Sequence, residues 1–419
     1  MDRDQIITGV FYYDDKLKNE NDIKNLKDCN ADIVVATSAS KEFLDLCQAN
    51  GIEVIANSNF PLWWGSFGEN AGKFKNGGMV KKLEEGDKEI IEHPALWGDY
   101  LCDEPQTADF EYLNKVMKKY AKLYPEKLCF ANLYPAYGNT APKGEYDTSE
   151  EKLALHLGSK NYEEHIQNFV DTVESDYICF DTYPFTGPLE TYLTNMDIVA
   201  DACRHDFRDM WVIIQSGAWT EDKILTEAQI RLQCNVAMAY GANMIIHASY
   251  SPGWWNEKTS MVDSNGNLNP TYEYVKKINA EIKEFSPTLR NYSAVCAVPA
   301  GKINAACPEM RDQLIEQAKR NDYFEGSENI TAIRSGSALL AGYFEKFNGD
   351  GSAVMLVNVT NPFDEKHVAE VEVDVPEHKL CCVFMDGKET VHLTSDRTIK
   401  LSIPTGSAAF VTVRKDRRY

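Results

Sequence analysis

Leu96-Trp97-Gly98-Asp99-Tyr100-Leu101-Cys102-Asp103-Glu104-Pro105 is the stretch on which the fold turns. A short, mostly apolar run is finished by two acids, and a proline, which cannot donate to a sheet ladder, ends it there. The period then changes: Phe110, Leu113, Val116, Met117 and Tyr120 recur at helical spacing. The unit is a strand followed by an amphipathic helix. Eight such apolar runs alternate with longer charged stretches, at residues 6–13, 33–37, 54–57, 96–102, 128–133, 177–182, 210–215 and 244–248. Helical spacing recurs ahead of the last of them as Ile230, Cys234, Val236, Ala237 and Tyr240. Eight strand-helix units over roughly 285 residues match a (β/α)₈ barrel better than an open doubly wound sheet. No G-x-G-x-x-G turn follows the first run, which further disfavours a dinucleotide-binding fold.

Beyond the helix predicted over 272–285 the texture becomes one of short strands, at 339–344, 353–358, 369–375, 380–385, 390–393 and 408–413. Turn residues separate them, as in Asp386-Gly387 and Pro404-Thr405-Gly406. The pattern predicts an antiparallel β-sandwich. The expected division is a barrel at 1–290, a mixed connecting region at 291–335 and the sandwich at 336–419. The sandwich strand ends carry no acidic and aromatic cluster, so that domain is expected to support the barrel rather than to catalyse.

A chain of 419 residues, 43% of them hydrophobic, can bury a core for a barrel and a small domain. Its formal charge of −21 argues against nucleic acid and anionic membranes as partners, since both need basic patches. A neutral substrate such as a sugar is compatible with it. The eleven cysteines lie partly inside apolar runs, as Cys102, Cys129, Cys179 and Cys234 do, and show no metal-ligand spacing. Reduced thiols, no zinc, no cofactor and a cytoplasmic location are expected, with export by a trimmed signal as the alternative. Cys381-Cys382 reads as a strand pair with at least one thiol buried. The motifs Asn291-Tyr292-Ser293 and Asn329-Ile330-Thr331 match a glycosylation pattern that arises by chance.

Barrel enzymes work at the C-terminal ends of their strands, so polar residues that finish an apolar run matter most. Four such ends stand out: Asp103-Glu104-Pro105, Asn132-Leu133-Tyr134-Pro135, Asp181-Thr182-Tyr183-Pro184-Phe185, and Gln215 with Trp219. Glycosidic cleavage needs one carboxylic acid to protonate the leaving oxygen and a second carboxylate as nucleophile or base. Glu104 is the expected acid, against a helix-capping role for the acidic pair. Sugar sites also need flat apolar faces, and Trp63-Trp64, Trp219 and Trp254-Trp255 fall just beyond strand ends. Asn57, Asn132 and His247 end strands as candidate hydroxyl ligands, with a core role the stronger reading for His247. A charged, turn-rich loop at residues 143–152 is expected to reach over the mouth.

The run Trp97 to Pro105 resembles the strand-four signature of clan A glycoside hydrolases, where an Asn-Glu-Pro triplet carries the acid/base glutamate. Together with Asn132-x-Tyr134-Pro135, Asp181-x-Tyr183-Pro184-Phe185, Gln215 and Ala239-Tyr240-Gly241-Ala242, the chain is similar to uncharacterised bacterial β-galactosidase-like proteins. The resemblance covers roughly residues 90 to 280 and implies a glycosidase with Glu104 as acid. Two positions depart from the clan pattern: Asp103 stands where Asn is usual, and Gln215 stands where the strand-seven nucleophile Glu is expected. A glutamine is neither nucleophile nor base. Three explanations compete: Gln215 is an engineered Glu→Gln trap of a retaining enzyme, another carboxylate serves and the enzyme inverts, or hydrolysis has been lost. The second is favoured, because Gln215 belongs to the β-galactosidase-like pattern too.

Asp181 is then the leading second carboxylate and Asp103 the next, although Asp103 also suits tuning of Glu104 by like charge. Gln215, Asn132, Tyr134, Tyr183, Trp219, Trp63, Trp64, Trp254, Asn57 and His247 are the expected substrate contacts. A glycan-binding protein on a hydrolase scaffold is the rival. An isomerase or lyase is weaker, for want of a lysine or of metal-ligand carboxylates at a strand end.

Overall fold

The computed structural model describes residues 5–65, 70–138, 148–347, 349, 351–377, 379–393 and 397–415. Of the loop expected at 143–152, residues 143–147 lie outside the described residues, and Glu150–Leu157 is a helix.

The N-terminal two thirds build an eight-stranded parallel, curled sheet: β1 (Ile7–Tyr13), β2 (Ile33–Ala36), β3 (Glu53–Ala56), β4 (Leu96–Asp103), β5 (Leu128–Asn132), β6 (Tyr177–Thr182), β7 (Asp209–Gln215) and β8 (Met244–Ala248). Each follows the predicted run to within one residue. Neighbours pair in the order β5-β4-β3-β2-β1-β8-β7-β6, and a parallel bridge between Leu133 and Phe180 joins the two ends. A two-residue strand, Trp63–Trp64, adds to the C-terminal end of β4. Helices follow the strands because each linking segment carries one apolar stripe. In Phe110–Leu123 that stripe is Phe110, Leu113, Val116, Met117 and Tyr120, all buried. The arrangement is consistent with a (β/α)₈ barrel carrying a β-rich region.

That region has a six-stranded antiparallel sheet and a three-stranded one. Alternate residues of the two sheets share a core, with Leu339, Val354 and Leu356 from one meeting Val371, Val373 and Leu401 from the other. Strand Tyr292–Gly301 pairs with Ala338–Lys346 in the larger sheet, so part of the segment expected as a connecting region is sheet. It escaped notice because helix Pro308–Arg320 separates the partners in sequence, which removes any hairpin signal. Helix Pro308–Arg320 itself ties the β-rich region to the helical segment that follows β6: Gln313 accepts from Leu193 N–H at 2.6 Å and donates to the Leu189 carbonyl at 2.7 Å.

The other face of the six-stranded sheet lies on helix Glu227–Ala239, which is why that helix is buried nearly all round, its polar Gln229, Arg231 and Gln233 included. Contact is close enough to require glycine. A Cβ on Gly342 would stand 2.1 Å from the Ala239 carbonyl oxygen, and one on Gly406 would stand 2.2 Å from that of Ala228. Gly342→Ala is therefore expected to cost about 1–3 kcal/mol, read as a lower urea midpoint at unchanged slope. An unchanged midpoint would mean that the two layers slide apart at no cost.

The eleven cysteines are free, nine of them buried; Cys381 is buried and Cys382 is half-buried. Among the described residues no helix is long and apolar enough to cross a membrane.

Candidate active site

Strand β4 delivers Asp103 and Glu104 to the C-terminal edge of the parallel sheet. Parallel pairing sets Asp103 opposite Asn132 of β5, and the Glu104 N–H donates to the Asn132 carbonyl at 2.8 Å. Glu104 carries a φ of +46°, in the left-handed region that costs a non-glycine residue free energy. That turn of the backbone sends consecutive acids into the same space. β6 contributes Asp181, which is buried, and one side chain ties the neighbouring strands together. The Asn132 Nδ2 group donates to Asp103 Oδ1 at 3.2 Å and to Asp181 Oδ1 at 2.9 Å. Two oxygens held by one nitrogen are at most about 6 Å apart. An inverting pair needs about 6.5–9.5 Å for its water. The facing oxygens of Asp103 and Asp181 thus lie closer together than that spacing.

Electrostatics sets the three carboxyls apart. Burial raises the pKa of all three carboxyls. Glu104 is pushed well above the usual carboxylate range, by burial first and then by the charges of Asp181 and Asp103. The Asn132 amide opposes the rise at Asp103 and at Asp181, because it hydrogen-bonds their charged forms. At Glu104 burial and both neighbouring charges all act upward. Neighbouring carboxyls whose surroundings push them upward to different degrees are an arrangement that acid-base chemistry can use.

These carboxyls open into a cavity of about 440 Å³, within the range of small-molecule sites. Its walls are aromatic: Phe11, Trp64, Tyr137, Tyr183, Trp219, Trp254 and Trp255. Trp254 leans on Phe11 at 5.7 Å and on Trp255 at 5.6 Å, and Tyr183 meets Trp255 edge-on at 5.3 Å. Trp64 and Trp254 stay 50% and 37% exposed at the rim. Among the described residues no group of three or more His, Cys, Asp or Glu side chains is disposed to hold a metal ion.

The cavity thus gathers Glu104, Asp103, Asp181, Asn132, Tyr183, Trp64, Trp219 and Trp254, and leaves out five expected contacts. Trp63 alternates with Trp64 and stacks on Phe74 at 5.3 Å instead. Asn57 is buried and donates to the Tyr100 carbonyl at 3.2 Å. His247 points away to helix Pro270–Leu289, with its Nε2 3.0 Å from Asn279 Oδ1, and burial pushes it down to about 4. Tyr134 is buried outside the lining. Gln215 is also fully buried: its Oε1 accepts from Phe185 N–H at 2.9 Å and its Nε2 donates to the Gly217 carbonyl at 2.8 Å. Trp255, read from the sequence as a flat face, is in the lining as well, whereas Phe11 and Tyr137 were not among the expected contacts. Tyr137 follows the end of β5 and accepts from the Tyr183 N–H at 3.0 Å, so position after a strand end was the signal that could have found it.

The amide of Gln215 satisfies one donor and one acceptor, a pairing that a carboxylate cannot reproduce. Gln215→Glu would turn a buried oxygen toward the Gly217 carbonyl. It is expected to lower stability by about 1–3 kcal/mol in thermal unfolding and to restore no activity. A large gain in glycoside turnover would instead mark Gln215 as a silenced nucleophile.

No protein-family model matches the chain, and no curated protein matches it either. Solved structures do. A catalytic mutant of a GH42 β-galactosidase from G. stearothermophilus aligns over 98% of this chain and 98% of its own, with a TM-score of 0.59 at 9% identity. An Anoxybacillus α-amylase aligns over 99% and 98%, with a TM-score of 0.50 at 10% identity. At such identities the likeness is one of fold alone.

Proposed function

We propose that this chain is a glycoside hydrolase, built as a (β/α)₈ barrel to about residue 290 with a β-sandwich beyond it, and that its substrate is a carbohydrate. The observation that carries the proposal is the clustering of Asp103, Glu104 and Asp181 in one aromatic cavity, with the Asn132 amide shared between the two aspartates. Glu104 protonates the leaving oxygen. Asp181 works opposite it, as base for water or as nucleophile, and Asp103 keeps the Glu104 proton in place by its charge. Trp64 and Trp254 offer faces for the C–H surfaces of a sugar, while Asn132 and Tyr183 stand within the cavity to meet hydroxyls. A carbohydrate substrate accords with the fold's neighbours and with an aromatic lining that is polar chiefly at its acidic floor.

The test is turnover of a panel of nitrophenyl glycosides and natural glycans, with the anomer of the first product read by NMR. Release from at least one glycoside supports the reading, and the anomer assigns inversion or retention. A second reading has its own observation, the uncharged Gln215 at the end of β7. Saturable glycan binding with no turnover anywhere on the panel would favour a glycan-binding protein on this scaffold.

A further inference from the structure

Asn132 is held from behind as well as from the front. Its Nδ2 group faces the carboxyls of Asp103 and Asp181, and a carboxylate oxygen only accepts. The two ends of an amide differ, so Asn132 can serve both acids only with its nitrogen toward them and its oxygen away. That oxygen then needs a donor within the protein, because Asn132 is buried. Cys179 of β6 supplies one: its thiol donates to Asn132 Oδ1 at 3.6 Å.

Two features keep the thiol in that place and in that state. The Cys179 carbonyl accepts from the Leu133 N–H at 2.8 Å, and the bridge from Leu133 to Phe180 continues the pairing, so the backbone sets β6 beside β5 at the height of Asn132. Burial, and then the charges of Asp181 and Asp103, push the thiol well above its usual range, so it keeps the hydrogen it donates. Cys179 belongs to the inner layer of the sheet, with Phe130 and Ile213. Cys102, also buried and one residue before Asp103, packs instead into the core between strands and helices.

We infer that Cys179 is a positioning residue of the acidic site: its thiol fixes which way the Asn132 amide points, and through that amide the placing of Asp103 and Asp181. The kinetic consequence rests on the proposed hydrolysis, whereas the chain from thiol to amide to carboxyls belongs to the folded protein and can be read without turnover. With the donor gone, Asn132 Oδ1 is left unmet in a buried place and the amide drifts from the two acids. That amide favours the charged forms of Asp103 and Asp181, so loosening it lets both carboxyls rise further. The other titratable groups that feel Asp181 are Asp103, Glu104, Tyr100, Tyr162 and Tyr183, and the test leaves all of them intact.

Cys179→Ala removes the donor, and Cys102→Ala is the control for losing a buried thiol. The side-chain amide signals of Asn132 in NMR spectra of the full chain, identified by their loss in Asn132→Ala, are expected to shift in Cys179→Ala and to stay in Cys102→Ala. On any glycoside that the wild type hydrolyses, the acid limb of the pH-rate profile should move up by at least about half a unit in Cys179→Ala, which is about a threefold loss of rate at its acid end. Cys179→Val, β-branched and suited to a strand, carries the same expectations should the alanine variant fail to fold. Unmoved Asn132 signals in the folded variant, equal shifts in Cys102→Ala, or an acid limb that stays in place would each overturn the inference. Moved signals in a chain that turns over no glycoside would sustain it and count against the hydrolase reading alone.

Discussion

Glu104→Gln is expected to keep the fold and ligand binding while turnover of a natural glycan falls by about 10²–10⁴-fold, the usual worth of general acid catalysis. The side chain keeps its size, and the backbone features that place it, the Glu104 N–H to Asn132 carbonyl bond and the positive φ, do not involve the carboxyl. What is lost is the proton. A leaving group such as dinitrophenolate is a weak base and needs little protonation, so the deficit should shrink on an activated glycoside. Steady-state rates on the two substrates make the comparison. An equal loss on both would assign Glu104 to nucleophilic or positioning work, and a near-wild-type rate on the natural glycan would leave it a helix-capping acid. Removing the acid also removes an ionisation that burial and two neighbouring charges hold high, so the alkaline limb of the pH-rate profile should move or disappear in the variant.

The second large effect is expected at Asp181, and it has two signs. Asp181→Asn should slow natural and activated substrates alike, by about 10²-fold or more, because a base or nucleophile is needed whatever the leaving group. Stability should move the other way. Burial and the Asp103 charge raise the Asp181 pKa on folding, so the folded chain binds more protons than the unfolded one between the ordinary carboxyl value of about 4 and the raised value. Stability contributed by this group is therefore full at the acid end and is lost as pH rises through that window. An uncharged Asn escapes the loss, and its carbonyl can still accept from the Asn132 amide. The melting temperature of Asp181→Asn should exceed that of the wild type at pH 8 by several degrees, with the gap closing toward pH 4. A gap that is absent at pH 8, or that widens on acidification, would show that Asp181 is stabilised by its surroundings rather than penalised by them.

These two side chains also mark where local sequence stopped being informative. The strands were legible because parallel strands covered on both faces read as continuous apolar runs, and the helices because each carries one stripe; both are local periodicities. The candidate acid was legible for the same reason, since a polar residue that ends an apolar run in such a fold sits at its C-terminal edge. Direction was not. Trp63 and Trp64 are neighbours in sequence, yet only the second faces the cavity. Gln215, Asn57 and His247 end strands just as Asp181 does, yet each is turned to a backbone or helix partner. A side chain's facing depends on strand register and on what packs behind it, and neither is written in its own neighbourhood.

What the sequence by itself determined is the order of elements, the apolar faces they bury and the placing of Asp103, Glu104 and Asp181 at strand ends. What only the tertiary structure decided is the company those residues keep. Asn132 reaches both aspartates because β4, β5 and β6 lie side by side, a juxtaposition set by the curl of the sheet over residues far apart in the chain. The high pKa of Glu104 has the same origin, since burial and the fields of two other carboxyls exist only once the strands have met. Strand Tyr292–Gly301 found its partner across an intervening helix. Periodicity is a property of neighbours along the chain, whereas proximity, burial and charge coupling belong to neighbours in space.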